Sequence, residues 1–325
     1  MTEWTFDLVP APAPGTKTQG MVDWGDPLLR GWDWPYVAVN GASPGPSVLV
    51  TAGVHGSEYV SIDAVIRLGA SLDPAQVSGR VLCLPLINAA AYWERSAYVS
   101  PIDNLNMNRI FPGKAKGTFS ERLAYQLVER AMRHADAFLD MHGGDVPEAL
   151  VPFNICHVTG NAEVDAKSLA LSEAFGAPAL IVQRSAGAPV AGLAYATAAA
   201  MGVPAMIAED GGAGQYDVAT AERMFGGLQN VLRSLGVLPG PAHPVAPPRR
   251  FTQFNWVRSK TAGFFRCAVK VGDEVAAGQT LGQMIDFFGA ELESIVAPVA
   301  GQILFLVVSP AIGANGLICG IGVEV

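Results

Sequence analysis

The chain has 325 residues, half of them apolar and 15% charged, a composition that excludes intrinsic disorder and leaves room for about two domains at ~150 residues each. Its 21 basic and 29 acidic side chains give a net charge of -8, and the only adjacent basic pair is Arg249-Arg250, so no nucleic-acid partner is expected. No apolar run approaches the roughly 18 residues of a membrane helix, and the acidic opening Met1-Thr-Glu-Trp-Thr-Phe-Asp7 is unlike a signal peptide, so no membrane partner and a cytoplasmic location are expected.

Trp24, Trp32 and Trp34 precede the first predicted strand. They suit either a core or the interface of a homo-oligomer, and the core is the preferred reading. From Ser47 onward short apolar runs alternate with longer segments of helical period, the signature of an α/β fold: a mostly parallel, mixed sheet with helices on both faces. Strands are predicted over 48–52, 80–86, 137–141, 152–157, 179–183 and 204–208. Helices are predicted over 58–70, 119–133, 162–175, 193–201 and 219–235, the second opened by a capping box, Thr118-Phe-Ser-Glu121. A larger unit over 1–235 is followed by a linker over 236–250, where Pro239, Pro241, Pro244, Pro247 and Pro248 rule out a helix or a central strand. The remainder, 251–325, reads as a small all-β unit with closely spaced glycines.

That last unit resembles the biotinyl or lipoyl carrier sandwich in its turns Gly272-Asp-Glu-Val-Ala-Ala-Gly-Gln-Thr-Leu-Gly282 and Ala297-Pro-Val-Ala-Gly-Gln-Ile303. A carrier needs a lysine on the hairpin between them, and no lysine follows Lys270. A structural or gating cap is expected instead. The four cysteines (Cys83, Cys156, Cys267, Cys319) are far apart, with no CxxC spacing, and read as reduced core thiols.

In a parallel sheet, ligands bind beyond the carboxyl ends of the strands. There the sequence places His55 and Glu58 after the first predicted strand, Asp140 and His142 after the third, and Glu209 and Asp210 after the last. His55 and Glu58, three residues apart, reach one point if the loop turns into a helix at Gly56-Ser57. Two histidines and a carboxylate, with a fourth position left open, form a common catalytic zinc set, and His142 is the natural third ligand. Each histidine taken singly suits a capped turn equally well; the joint occurrence at compatible strand ends favours one Zn2+ per chain. His134, His157 and His243 fall at a helix end, on an apolar strand and in the linker, and are read as structural or solvated. A carboxylate such as Glu209 ending an apolar strand is costly unless paired or functional. Beside a metal-activated water it would act as general base. Asp210 competes for that role, although strand alternation sends the two to opposite faces. The loop Asp103-Asn-Leu-Asn-Met-Asn-Arg-Ile-Phe-Pro-Gly113 offers amides and, in Arg109, a guanidinium fork suited to a carboxylate.

Four blocks in this order, GVHGSEY (53–59), NMNRIFPG (106–113), DMHGG (140–144) and EDGGAG (209–214), resemble the succinylglutamate desuccinylase and aspartoacylase family, a branch of the zinc carboxypeptidase-like hydrolases. The resemblance implies that 1–235 is a zinc hydrolase domain with His55, Glu58 and His142 on the metal. It also implies that Asn108 and Arg109 contact substrate, with Arg109 polarising the scissile carbonyl, and that Glu209 is the general base. Two positions depart from the family pattern. Asn106 stands where many members have the aspartate that orients a zinc histidine, so that Asn106 and Asp140 become the partners behind the ligands, and an amide lends the ring less basicity. Ala97 stands where aspartoacylase-like members tend to have arginine, leaving Arg95 as the nearest substrate-binding cation. The expectation is a deacylase acting on a small-molecule N-acyl amino acid or related N-acyl amine. The alternatives are a metallocarboxypeptidase acting on peptides and a non-catalytic zinc-binding relative.

Overall fold

The structure is a computed structural model and describes residues 3–184 and 191–324, with the side chains of 252 and 253 left aside. Its strands are β1 (Thr16–Met21), β2 (Pro35–Asn40), β3 (Ser43–Ala52), β4 (Ser78–Leu84), β5 (Ala137–His142), β6 (Glu148–Leu150), β7 (Phe153–Val158), β8 (Ala179–Arg184) and β9 (Ala205–Glu209). They continue as β10 (Arg249–Arg258), β11 (Gly263–Cys267), β12 (Glu274–Val275), β13 (Thr280–Ile285), β14 (Glu291–Val296), β15 (Gly301–Val307), β16 (Ala311–Ile312) and β17 (Leu317–Glu324). The helices are α1 (Tyr59–Ser71), α2 (Ala89–Glu94), α3 (Phe119–Arg130), α4 (Ala162–Phe175), α5 (Ala194–Ala200) and α6 (Val218–Ser234).

One sheet of 13 strands runs β1-β2-β4-β3-β5-β9-β7-β8-β10-β17-β15-β12, with β6 paired to β15 beside that path. The pairs β4-β3, β3-β5, β5-β9, β7-β8 and β8-β10 are parallel, whereas β7-β9 and the pairs nearer either edge are antiparallel. Side-chain alternation explains why the central strands are apolar on both faces. Leu49, Leu82, Phe138 and Ile207 face a layer holding α3 and α5, together with Trp24 and Trp34. Val48, Val50, Val81, Leu139, Met141 and Met206 face the opposite layer, where Val65 and Leu68 of α1 meet Met224 and Leu228 of α6. Each such fully buried aliphatic side chain contributes about 1.5–3 kcal/mol.

The tryptophans belong to the core as expected: Trp34 is fully buried, its ring edge-on to Trp24 at 5.0 Å, and Trp32 packs against the same cluster. The capping box is formed, with Thr118 N–H donating to Glu121 Oε2 at 2.9 Å and Thr118 Oγ1 accepting from Glu121 N–H. One expectation fails. Cys83, Cys156 and Cys319 are buried thiols, but Cys267 is exposed, because it is the last residue of β11, where the cover over the buried Phe265 ends. The proline-rich stretch carries no helix or strand from Gly236 to Pro248, and β10 begins at Arg249. There the chain re-enters the main sheet, with β10 parallel to β8 over Arg249–Phe251. A second sheet, β14-β13-β11-β16, completes the carboxyl-terminal part.

Candidate metal centre and its cavity

The register of the central strands brings the chemistry to one edge. β5 pairs with β3 up to Met141↔Ala52 and with β9 up to His142↔Glu209. Counting back by twos, Asp140 and His142 share the face of Phe138, and Glu209 shares that of Ile207. Asp210 turns to the opposite face, as alternation requires, and is held by Arg223 of α6 at 3.2 Å.

β3 leaves the sheet into the loop that carries His55 and Glu58. Gly56 is required there by close approach: a Cβ would lie 2.1 Å from the backbone nitrogen of Tyr92 in α2. Glu58 is the N-cap residue of α1 but spends no side-chain hydrogen bond on capping. Its carboxylate instead lies between the two histidines, with Oε1 2.7 Å from His55 Nδ1 and Oε2 3.0 Å from His142 Nδ1. Gly143 N–H donates to Oε2 at 3.2 Å. His55, Glu58 and His142, all buried, each offer a ligand atom within 4.8 Å of the others.

The far nitrogen of each ring faces an oxygen, with a hydrogen bond at His55 and ion-pair range at His142. His55 Nε2 lies 3.1 Å from Asn106 Oδ1, and that oxygen also accepts Asn108 N–H at 2.9 Å, which fixes the amide's orientation. An amide oxygen can only accept, so Nε2 carries a ring proton and Nδ1 is the nitrogen turned to the centre. His142 Nε2 lies 3.4 Å from Asp140 Oδ1, itself bonded by Thr51 Oγ1 at 3.0 Å. Asn106 and Asp140 thus stand behind the two rings, where outer partners of metal-ligating histidines are found.

The electrostatics are those of a cation site. Burial opposes charge on Glu58, but the two histidines outweigh it and bring its pKa down to about 2. Burial likewise opposes charge on the rings, yet Glu58 raises His55, and Glu58 with Asp140 raises His142 well above the usual imidazole range. An anion fixed between two imidazoles holds protons where a divalent ion would sit. Two nitrogens and one carboxylate, with Asn106 and Asp140 behind the rings, fit zinc.

A cavity of about 970 Å³ opens over this centre. His55, Glu58, Asn106, Asn108, Arg109 and Glu209 line its floor, while Phe254, Asn255, Trp256 and Arg258 from β10 and Phe305 and Val307 from β15 line the far wall. Burial is the main cause holding the Glu209 carboxyl well above its ordinary range; His142 opposes it, while Glu58, Glu148 and Asp140 add to it. Asn108 is buried, and its Oδ1 accepts Ala194 N–H at 2.9 Å, so only its NH2 remains for a ligand. Arg109 donates to Asn108 O at 2.6 Å. Gly192, at φ +90°, allows the start of the α5 segment to close onto the Arg109 carbonyl, which a Cβ would meet at 2.2 Å.

The remaining histidines lie elsewhere. His134 Nε2 contacts Glu129 O at 3.2 Å at a helix end, His157 is buried on β7, and the backbone of His243 is bonded to Asn230. Arg95 does not reach the cavity. It is exposed, in the left-handed C-cap of α2 at φ 53°, a position that turns it outward. Other charged groups line the cavity in its place: Arg184 at the end of β8, Arg258 on β10, and Glu148, whose carboxylate accepts Asp145 N–H at 3.0 Å and the Tyr98 hydroxyl. Asp145 ties this corner together, accepting Ser57 Oγ and, at 2.7 Å, Tyr98 N–H. Glu148 lies six residues beyond His142, so an acid close behind a metal block is the signal the sequence offers for it. Arg258 has none.

Residues 44–235 match the model of the succinylglutamate desuccinylase/aspartoacylase catalytic domain. The chain belongs to this family. A relative from Halomonas elongata, N-alpha-acetyl-L-2,4-diaminobutyric acid deacetylase, is 31% identical over 262 residues, covering 78% of this chain and 74% of its own. The product-bound ectoine utilization protein EutE (DoeB) of Ruegeria pomeroyi superposes with a TM-score of 0.87 at 26% identity, covering 97% of each chain. A succinylglutamate desuccinylase/aspartoacylase of Rhodobacter sphaeroides gives 0.84 at 27%, covering 95% of this chain and 96% of that one. These likenesses extend well past residue 235, so the fold shared with the desuccinylase/aspartoacylase structures includes the carboxyl-terminal strands that wall the cavity.

Proposed function

We propose that this member of the family is a zinc-dependent deacylase that hydrolyses the amide of a small N-acyl amino acid, releasing a carboxylic acid and a free amine. Family membership and the deacetylase relative support the deacylase class. The observation that carries the zinc reading is the convergence of His55 Nδ1, Glu58 and His142 Nδ1 beneath a cavity that also holds Glu209. A zinc ion held by those three would supply Lewis acidity and lower the pKa of a water.

The chain's own residues supply the rest. Glu209, in register with His142 at the cavity floor, takes a proton from the attacking water and delivers it to the departing nitrogen. The Arg109 guanidinium donates to the acyl oxygen as negative charge builds there, and the NH2 of Asn108 assists in holding the substrate. A cavity of about 970 Å³ walled by β10 and β15 suits a small molecule better than the open groove a peptidase needs, which favours this reading.

The test is Glu209→Gln, assayed on short-chain N-acyl amino acids beside blocked dipeptides. Turnover of the first panel is expected to fall by about 10²–10⁴-fold, with zinc content unchanged. Retained activity, or loss of the metal, overturns the role of Glu209; cleavage mainly of the dipeptides by the unaltered protein overturns the deacylase reading.

A further inference from the structure

We propose that Glu148 is the residue that recognises a cationic group on the substrate, so that the enzyme selects N-acyl amino acids carrying a second, basic nitrogen. This rests on the deacylase reading and specifies its substrate class.

The argument begins with the charges that line the cavity. Three are guanidinium groups, Arg109, Arg184 and Arg258, and among the described residues none of them has a carboxylate within ion-pair range. Arg109 is taken by the acyl oxygen, and Arg184 and Arg258 suit the carboxylate that any N-acyl amino acid presents. Three are acids. Glu58 lies between His55 and His142, and Glu209 is taken by proton transfer. Glu148 is the acid with no assigned partner.

Glu148 is 9% exposed, yet it borders the cavity. The pairing of β6 with β15 (Glu148↔Val307) fixes its backbone, and Asp145 N–H and the Tyr98 hydroxyl fix its carboxylate. Both donors are neutral, so they orient the anion without cancelling its charge. Burial accordingly raises its pKa to about 7. A buried carboxylate held rigidly beside a ligand cavity, with no protein cation in ion-pair range among the described residues, is stabilised by a cation that arrives with the ligand. An ammonium suits it best, because its N–H donors form charge-assisted bonds with the free lone pairs. An N-acyl amino acid with an aliphatic side chain offers nothing there.

The experiment compares kcat/KM for N-alpha-acetyl-L-2,4-diaminobutyrate with that for N-acetyl-L-norvaline, in which a methyl group replaces the side-chain ammonium. The zinc-loaded enzyme is expected to prefer the first by about 10- to 100-fold, and Glu148→Gln is expected to bring that ratio close to one, chiefly through KM for the cationic substrate. A ratio unchanged in the variant, including an equal loss on both substrates, overturns the inference. Calorimetric binding of free 2,4-diaminobutyrate and free norvaline to both proteins reads the same preference without turnover. If neither acyl compound is hydrolysed, the deacylase reading fails while this second arm still decides the role of Glu148: preference lost in the variant supports it, and preference absent from the unaltered protein or retained in the variant overturns it.

Discussion

On the floor of the cavity, His55 and Glu58 in the loop after β3 and Glu209 at the end of β9 lie beside His142, buried at the end of β5; β3, β5 and β9 are neighbouring parallel strands. On the far wall, Phe254, Trp256, Arg258 and Phe305 come from β10 and β15, each antiparallel to β17 between them. The floor concentrates buried titratable groups whose pKa values are pushed far from their usual range, whereas the wall is largely aromatic and aliphatic with one cation. Under the proposed function, proton transfer and metal binding belong to the first region, and the second shapes the space a substrate must fill.

The largest effect that would test this division is expected from Glu58→Ala. Removing the carboxylate shared by both histidines should cost the metal and at least about 10³-fold in rate, read by metal analysis and by product release; zinc retained at full stoichiometry would contradict the assigned ligand set. Arg258→Ala should act on the wall alone, raising KM about tenfold while kcat and zinc content stay near their original values, the pattern of lost uniform binding. Zinc lost from that variant would erase the boundary between the two regions.

A third effect concerns protons. Because His55 and His142 are both raised, their nitrogens keep protons to higher pH than free imidazole, and metal must displace them. Zinc affinity should therefore weaken as pH falls through and above the ordinary imidazole range, by about tenfold per unit for each proton displaced; competition with a chelator across that range measures the slope, and a flat profile would remove the histidines from the site. The smallest effect is expected from Asn106→Asp. A carboxylate behind His55 Nε2 should tighten zinc by roughly tenfold and leave substrate preference alone, and weaker zinc binding would show that the amide, not its charge, is what this position needs.

Floor and wall also differ in how plainly the amino-acid sequence announces them. The floor is legible because its residues lie within a few positions of strand ends: the side-chain period of two places Asp140, His142 and Glu209 on definite faces, and a three-residue spacing brings His55 and Glu58 together. The same alternation separates Glu209 from Asp210 correctly. The strand β1 is silent in the sequence for a physical reason: it is almost wholly exposed, so Thr16–Met21 carries no apolar signal, and only pairing with β2 defines it. Nearness in sequence to the substrate blocks points to Arg95, but one left-handed residue at the end of α2 turns it outward. Arg258 gives no sign of its role because it reaches the site through β10, which returns to the sheet only after a long irregular stretch.

The return of β10 to the sheet has a consequence for the timing of turnover. The far wall is joined to the body by the β8-β10 ladder and by β6 against β15, each a row of backbone hydrogen bonds. Swinging it aside as a lid would break both rows at once, so the wall is not expected to provide the microsecond-to-millisecond closing step that limits many enzymes. Exchange of substrate and product is then governed by the width of a standing aperture, and a substitution that narrows it should slow bulky ligands more than small ones.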